Sequence, residues 1–489
     1  MSLEEDHKDP TKMVSRESSV DVATNKYYSR ISTPLLRNTT KMKKVENMLS
    51  GIHLSEEVVS RVKSVFLSEI ELGINEEPSS LQMENTYVPE LPDGTEEGLF
   101  LALDVGGTNF RVLLLELMEG RLVREEVKHY HITDELRLGP GIDLFDFLAT
   151  CIADFVKEFN IADQTLPLGF TFSFPMHQRS MDCGCLVTWT KSFKCAGVQG
   201  EDVVEMLREA IRRRGDIKVD VVAVLNDTTG TLMQGALLDH KTTVGLILGT
   251  GSNACYLERA DRVHHWESER HGEKEIVIDV EWGAFGDNGV LDFIKTEFDR
   301  QVDDNSLIKK SFTFEKYIGG KYLGEIVRVI LVRLIEEELL FDGDVPPKLL
   351  QLNSFRTSYV SLIDQDCVDE GTVHTETLLS EDFDVELTTS DDLAIVKYVC
   401  EIVSLRAALL VSTGLAAILQ HMDRPDSTIA VDGSLYKYHP RFQEWMDHFI
   451  RLLVPKYAFR LMLAEDGSGK GAGLTAAIAM KLRAREKTV

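Results

Sequence analysis

The chain has 489 residues, of which 43% are hydrophobic, and a formal net charge of −27. A single core seldom grows past about 250–300 residues, so two domains are expected. A surface this acidic repels nucleic-acid phosphates and anionic lipid headgroups, which argues against both as partners; an anionic ligand must be drawn by local backbone dipoles or by a metal. The seven cysteines are irregularly spaced, and Cys183 and Cys185 have no second pair nearby to complete a zinc site. Free thiols in a reduced compartment, the cytoplasm, are the expectation.

Residues 1–42 are polar, rich in Ser, Thr and charge, and lack apolar periodicity. They read as a mobile tail. The opening Met1-Ser2-Leu3-Glu4-Glu5-Asp6 has no apolar core, so neither a secretory nor a mitochondrial presequence is expected. No stretch is expected to reach the apolar length of a membrane span. From about Val45 an amphipathic helix is predicted, with Leu54, Val58, Val62 and Phe66 at three- and four-residue steps. A polar linker then leads to Pro92-Asp93-Gly94.

Strands and helices alternate after that. Phe100–Leu103 and Val112–Leu117 are apolar runs around a Gly-rich turn, which predicts a hairpin. Leu144–Phe159 has helical period; Leu168–Phe172 and Val219–Leu225 read as strands. A second hairpin of the same plan joins Val244–Leu248 to Ala254–Leu257 through Gly249-Thr250-Gly251-Ser252-Asn253. Two such units imply a weak internal duplication, with two similar α/β domains facing each other. Ile326–Leu340, Ala407–Met422 and Leu474–Arg485 read as helices.

The motifs sit at the ends of these runs. Asp104-Val105-Gly106-Gly107-Thr108-Asn109 lets backbone N–H groups approach an anion, and Asp104 is placed to hold a hydrated divalent metal. A plain hairpin turn explains the glycines equally well. Gly249–Asn253 is another candidate phosphate cradle. Val431-Asp432-Gly433-Ser434-Leu435-Tyr436 could receive an adenosine, and Glu465–Gly471 opens the last helix with a Gly-rich N-terminus. Gly471 stands where a P-loop needs Ser or Thr after its lysine, and neither H-R-D, D-F-G nor G-x-S-x-G occurs. Phe172-Ser173-Phe174-Pro175 and Thr188-Trp189-Thr190-Lys191 mix hydroxyls and a lysine with aromatics, as a sugar requires, although half-buried strands would look the same. Leu225-Asn226-Asp227-Thr228 delivers an Asn-Asp pair at a strand's carboxyl end, the usual place for function in an α/β sheet and equally a helix N-cap.

In order, these motifs resemble the eukaryotic hexokinases, a family that includes glucokinase. The likeness runs from about residue 45 to the C-terminus. It is carried by LALDVGGTNFRV (101–112), FTFSFP (170–175), TWTKSF (188–193), LNDTTGT (225–231), LGTGSNACY (248–256), EWGAFGDNG (281–289), EKYIGGKYLGEIVR (315–328), VDGSLYKYHP (431–440) and EDGSGKGA (465–472). The resemblance implies an α/β, two-domain actin-like ATPase (ribonuclease H-like) fold with the active site in the cleft. It implies a small domain of residues 86–225 plus a terminal helix 473–489, a large domain of 226–472, and an N-terminal helix within 43–85 packed on the large domain. It implies ATP-dependent phosphorylation of a hexose, D-glucose foremost and mannose and fructose besides, as the first step of glycolysis, by a single monomeric catalytic unit.

Site residues follow from the same resemblance. Ser173, Phe174, Thr190, Lys191, Asn226, Asp227, Asn253, Glu281 and Glu315 fall on sugar contacts, with Asp227 as the general base and Lys191 beside it. Asp104, Val105, Gly106, Gly107, Thr108, Asn109, Arg111, Thr250, Gly251, Gly320, Lys321, Thr357, Ser358, Tyr359, Val360, Ser361, Gly433, Ser434, Leu435, Tyr436, Lys437 and Tyr438 fall on nucleotide contacts. Magnesium is expected on the ATP phosphates with no direct protein ligand. The chain departs from the family at Phe312, where many members carry a Gln, at Ser192 after the Thr-Lys pair, and at Met83-Glu84-Asn85, where Met-Leu-Pro is common. A kinase for another hexose, a non-catalytic sugar sensor and an ATP-driven clamp are the competing readings. Intact Asp227, Lys191 and both phosphate turns argue against the sensor, and the polar cluster around Asn226, Asp227 and Glu281 argues against the clamp.

Overall fold

The computed structural model describes residues 25–28, 36–267, 269–385 and 388–487. Its strands are β1 (Glu84–Asn85), β2 (Gly98–Val105), β3 (Asn109–Met118), β4 (Arg121–His131), β5 (Leu166–Phe172), β6 (Met176–Ser180), β7 (Cys183–Leu186), β8 (Val219–Leu225), β9 (Thr242–Leu248), β10 (Ser252–Arg259), β11 (Glu275–Asp279), β12 (Asp426–Asp432) and β13 (Ala458–Leu463). They form a small sheet in the order β4-β3-β2-β5-β8, a large sheet in the order β1-β11-β10-β9-β12-β13, and a β6–β7 ribbon.

The two sheets repeat one plan. In the small sheet β2, β3 and β4 form an antiparallel meander, and β5 and β8 add in parallel. In the large sheet β9, β10 and β11 form the meander, and β12 and β13 add in parallel. The duplication read from two Gly-containing hairpins thus extends to whole sheets. Each meander begins on a strand buried along nearly its whole length, so apolar side chains fill both faces and helices must cover them.

Two helices lie between the sheets. The helix Asp227–Leu238 packs under β9 and β12, and the terminal helix Gly467–Glu486 packs on β2 and β5 and against Asp227–Leu238. Glycine makes the approach possible. A Cβ on Gly471 would come 2.1 Å from the Gly230 carbonyl oxygen, and one on Gly169 would come 1.9 Å from that of Ala472. The terminal helix therefore joins the small sheet to the large one across backbone contact.

The large domain is held from the N-terminal side. The helix Glu56–Ile74 inserts Phe66 among Trp282, Phe285 and Phe314, at ring-centroid distances of 6.3, 4.8 and 6.4 Å. Behind them runs the helix Ser390–Met422, whose buried Arg406 meets buried Asp299 through Nη1 to Oδ2 at 3.0 Å and Nη2 to Oδ1 at 2.5 Å. That helix corrects one expectation: it is long and apolar enough to span a bilayer. Its apolar window is wholly buried, and a helix apolar all round is what the centre of a large soluble core requires.

Three boundaries also move. The helix expected from Val45 is two helices, Thr39–Leu49 and Glu56–Ile74, separated where Ser55 caps the second. The tail expected over 1–42 ends sooner. Tyr27 and Tyr28 are buried in the large-domain core, Tyr28 Oη accepts the Leu54 N–H at 2.8 Å, and Leu36 and Met42 are buried too. These apolar residues are too widely spaced to show periodicity. Residues 1–24 and 29–35 of that stretch lie outside the described residues. The crossing into the small domain falls later than 86, because Thr86 and Val88 still bond Val277 at the edge of the large sheet. All seven cysteines are free.

Removing residues 1–42 is expected to lower the melting temperature of the large domain, because it strips Tyr27, Tyr28, Leu36 and Met42 from its core. An unchanged melting curve would contradict their packing. Asp299→Ala leaves Arg406 charged, buried and uncompensated, and should cost about 3–5 kcal/mol. Burial raises the Asp299 carboxyl, but Arg406 pulls it below its ordinary value. The pair's contribution is therefore complete above about pH 4 and lost as pH falls through the depressed native value. Thermal scans from pH 7 downward should show the wild type converging on the variant.

Candidate active site

The carboxyl ends of the parallel strands converge between the sheets. Asp104 lies near the end of β2, Ser173 follows β5, Asn226 and Asp227 follow β8, the Gly249–Gly251 turn follows β9, Gly433 and Ser434 follow β12, and Asp466 and Ser468 follow β13. Function at such ends is the rule in α/β sheets, because each strand stops where its loop is free to reach a ligand.

Asn226 is both a helix cap and a site residue. Its Oδ1 accepts the Thr228 N–H at 3.0 Å, capping the helix, while its Nδ2 donates to Glu281 Oε1 at 3.3 Å. Asp227 is the first residue of that helix, with Ser173 in hydrogen-bonding reach of its carboxylate. Burial pushes the Asp227 carboxyl above its ordinary value, the Lys191 ammonium pulls it down, and Asp104 pushes it up again. Lys191 is fixed by donating to the Ser173 carbonyl at 2.9 Å, with a left-handed backbone at φ 52°.

Opposite Asp227 stand three more carboxylates. Glu281 leaves β11 in a left-handed conformation, φ 50°, just before buried Trp282. Glu315 Oε2 accepts the Ser252 N–H at 3.3 Å. Asp279 Oδ1 accepts from Asn253 Nδ2 at 2.8 Å. All three carboxyls are raised, first by burial; the Asp227 charge pushes each of them up, Asp279 and Glu315 add to Glu281, and Lys191 and Lys321 pull Glu315 partly back. A Cβ on Gly251 would come 2.6 Å from Glu315 Oε2, so a larger residue there would push on that carboxylate. The group suits a neutral ligand with several O–H donors and disfavours an anion.

Two cavities adjoin this group. One of about 300 Å³ is lined by Asp104, Gly106, Asn109, Arg111, His129, Ser173, Lys191, Asp227 and Ser468. Here Asp104 Oδ2 is taken by Arg111 Nε and Nη2 at 3.0 and 2.9 Å and by Ser468 Oγ at 2.8 Å. Asp104 is thus an anchor for Arg111. Val105 is buried in β2, while Gly107 and Thr108 complete the turn, with a Cβ on Gly107 meeting nothing within 4 Å. The second cavity, about 420 Å³, is lined by Gly249, Thr250, Gly320, Lys321, Thr357, Ser358, Ser361, Leu362, Gln365, Ser434, Leu435, Tyr438 and Pro440. Gly320 N–H and Lys321 N–H donate to the Gly249 and Thr250 carbonyls at 2.9 Å each, which sets the turn against a helix N-terminus. Gly433, at φ +125°, approaches this turn so closely that a Cβ would lie 2.4 Å from the Leu248 carbonyl.

Several expected contacts are supports instead. The Phe174 ring is buried among Phe172, Trp189 and Phe193, so Phe174 braces the Ser173 loop and offers no side chain to the cleft. Tyr359 packs on Phe355 and Phe383 and donates to Asp382, Val360 and Tyr436 are core residues, and Lys437 pairs with Glu465 at 2.6 Å. None of the four lines the larger cavity. Such motifs alternate between inward and outward positions, so a contiguous run cannot all face one ligand. Thr190 is half-buried beside Lys191.

Two residues missed in the sequence matter. Asp279 orients Asn253 as above, and its signal was its place two residues before Glu281 at a strand end. Asp287 accepts the Phe312 and Thr313 N–H groups at 2.9 Å each, holding Phe312 at φ 56° above Gly283. An Asp-Asn-Gly turn gives little hint of that reach.

Two family models, both described as hexokinase, match residues 44–237 and 243–478. Hexokinase-2 of Homo sapiens is 44% identical over 467 residues, which cover 92% of this chain and 50% of that protein. Hexokinase-1 of Mus musculus is 44% identical over 453 residues, covering 90% and 46%. The chain spans about half the length of the curated relatives it matches. The solved hexokinase from Schistosoma mansoni complexed with glucose superposes with a TM-score of 0.83 at 41% identity, covering 90% of this chain and 99% of that one. With both models matched in order and a solved relative covered almost entire, this chain belongs to the hexokinase family.

Proposed function

We propose that this chain transfers the γ-phosphate of ATP to the 6-hydroxyl of a hexose, D-glucose foremost and mannose and fructose besides, as a cytoplasmic, monomeric enzyme with no nucleic-acid or membrane partner. The observation that carries this reading is Asp227, a raised carboxyl between a carboxylate-and-amide group suited to hydroxyls and a Gly-rich cradle suited to phosphates. The glucose in the Schistosoma mansoni complex supports the choice of sugar.

The residues divide the work. Asn226, Asn253, Glu281 and Glu315 accept and donate to the sugar hydroxyls, while Ser173, Thr190 and Lys191 close on it from the small-domain side. Asp227 takes the 6-hydroxyl proton as the oxygen attacks phosphorus and the bond to ADP breaks. The turns at Gly106–Asn109 and Thr250–Gly251 supply N–H groups to the phosphates, and the 420 Å³ cavity takes the nucleoside. Asp104 and Asp432 have oxygens already engaged by Arg111, Ser468, Gly433 and Gly467, which fits magnesium carried on ATP and not on protein carboxylates. When bound, magnesium offsets phosphate charge. Water competes with the sugar for the phosphoryl group, so the site is withheld until sugar contacts from both domains draw the cleft shut.

A coupled assay should show ADP release that depends on glucose. Glucose-independent release would favour a clamp, and none at all a sensor. Asp227→Ala should lower kcat by a factor on the order of 10²–10⁴, with a smaller loss of sugar affinity. Near wild-type kcat in that variant would remove Asp227 as the base.

Because the Asp227 carboxyl is raised, the acid limb of kcat/KM should fall above about pH 4, activity being lost as the base is protonated. An acid limb at or below the ordinary carboxylate value would contradict this. Phe312 cannot supply the hydrogen bond of the family's Gln, and one neutral bond is worth about 0.5–1.5 kcal/mol. Phe312→Gln should tighten glucose binding by at most roughly tenfold without changing hexose preference. A changed preference would show that Phe312 shapes the pocket. Small-angle scattering should show a smaller radius of gyration with glucose, and an unchanged radius would defeat closure.

A further inference from the structure

Behind the cleft, where the chain passes from the large sheet to the small one, one donor atom from each of Glu84, His177 and His265 lies within 4.8 Å of the others. Glu84 is on β1, His265 is in the loop after β10, and His177 is on β6 of the ribbon that packs against β8. Glu84 Oε2 and His177 Nδ1 are 3.5 Å apart, too far for a good hydrogen bond, and the two imidazole centroids are 5.1 Å apart. Glu84 Oε2 and His265 Nε2 are buried and have no hydrogen-bond partner among the described residues.

The outward ring nitrogens are taken. His177 Nε2 bonds Glu267 Oε1 at 2.9 Å, and His265 Nδ1 bonds Glu76 Oε1 at 2.9 Å. A carboxylate on the far nitrogen of each imidazole fixes the tautomer and turns the other lone pair inward, the usual arrangement around metal-ligating histidines. It leaves three inward donors, His177 Nδ1, His265 Nε2 and Glu84 Oε2. A tetrahedral zinc site with bonds of about 2.0–2.1 Å places its donors roughly 3.3 Å apart, against 3.5 Å for Glu84 Oε2 and His177 Nδ1 and at most 4.8 Å for the remaining pairs, so an ion would draw the three side chains inward.

We propose that Glu84, His177 and His265 form a binding site for a divalent transition metal ion of the zinc class, which ties the β6–β7 ribbon to the edge of the large sheet. Two imidazoles and a carboxylate select such an ion over magnesium or calcium, which prefer all-oxygen sets. Glu84 also repels Glu281 across the sheet edge, so an ion here reduces the negative charge behind the cleft.

Titrating chelator-stripped full-length protein with zinc against a chromophoric chelator should find an equivalent that weakens at least tenfold in Glu84→Leu, His177→Ala and His265→Ala. Cobalt(II) should give the intense visible bands of a four-coordinate site, lost in His177→Ala. Glu267→Gln alters an exposed second carboxylate and leaves the core intact, so it keeps the test open if a ligand variant misfolds; it should weaken binding by about 10–100-fold. Cys367→Ser reports on the second cluster of metal-ligating groups among the described residues, Asp364, Cys367 and Glu401, and should leave binding unchanged. Absence of a bound equivalent, binding indifferent to Glu84, His177 and His265, or binding lost in Cys367→Ser would each overturn the proposal.

Discussion

Like charges held together in a half-buried cleft are the constraint on which this molecule turns. Asp227, Asp279, Glu281 and Glu315 each lose hydration, and each carboxyl rises, with mutual repulsion adding to burial for most of them. Lys191 is the cation that reaches both Asp227 and Glu315. Such a group is unfavourable for the free fold and favourable only when donors arrive. The surrounding packing must therefore hold it in place, and it does so through aromatics. Trp282 follows Glu281, Phe314 precedes Glu315, and Phe66 from the N-terminal helix locks both.

The repeated sheet explains why the opposing chemistry lies so close. Each half contributes a meander whose first turn carries glycine, and each places that turn at the carboxyl end of its first strand. Facing the two copies brings the turns to either side of a common cleft, one over Asp104 and Arg111, the other over Glu315. The helices Asp227–Leu238 and Gly467–Glu486 meet between them at glycine, so their N-terminal residues, Asp227 and Ser468, reach the same cavity. A small rotation between the halves alters every distance across the site while leaving each half intact.

Much of this was legible in the chain. Apolar runs ending at Asp-Val-Gly-Gly and Leu-Gly-Thr-Gly gave the hairpins and their duplication, because strand period and turn chemistry are local. Asn226 was legible twice, as cap and as site, and it serves as both. What was not legible depends on distant contacts. Tyr27 and Tyr28 look like tail until Leu54 and the large core are folded beside them. Phe174, Tyr359, Val360, Tyr436 and Lys437 belong to motifs whose neighbours line the cavities, but side-chain direction decides their role, and a string of letters does not state it. Asp279 and Asp287 act through Asn253 and Phe312, across a strand pair and a loop. The membrane-length apolar stretch of Ser390–Met422 is a core helix, and only its partners distinguish the two.

The central claim is that burial and neighbouring carboxylates raise the cleft carboxyls and that the O–H donors of a bound polyol offset this rise. Hydroxyl donors favour the ionised form, so sugar binding should release protons between the ordinary carboxylate range and neutrality. Glucose titrations by calorimetry at about pH 6, in buffers of different ionisation enthalpy, measure this directly. The account predicts an apparent binding enthalpy that varies linearly with buffer ionisation enthalpy, with the slope of net proton release. A slope of zero, or one showing uptake, would contradict it.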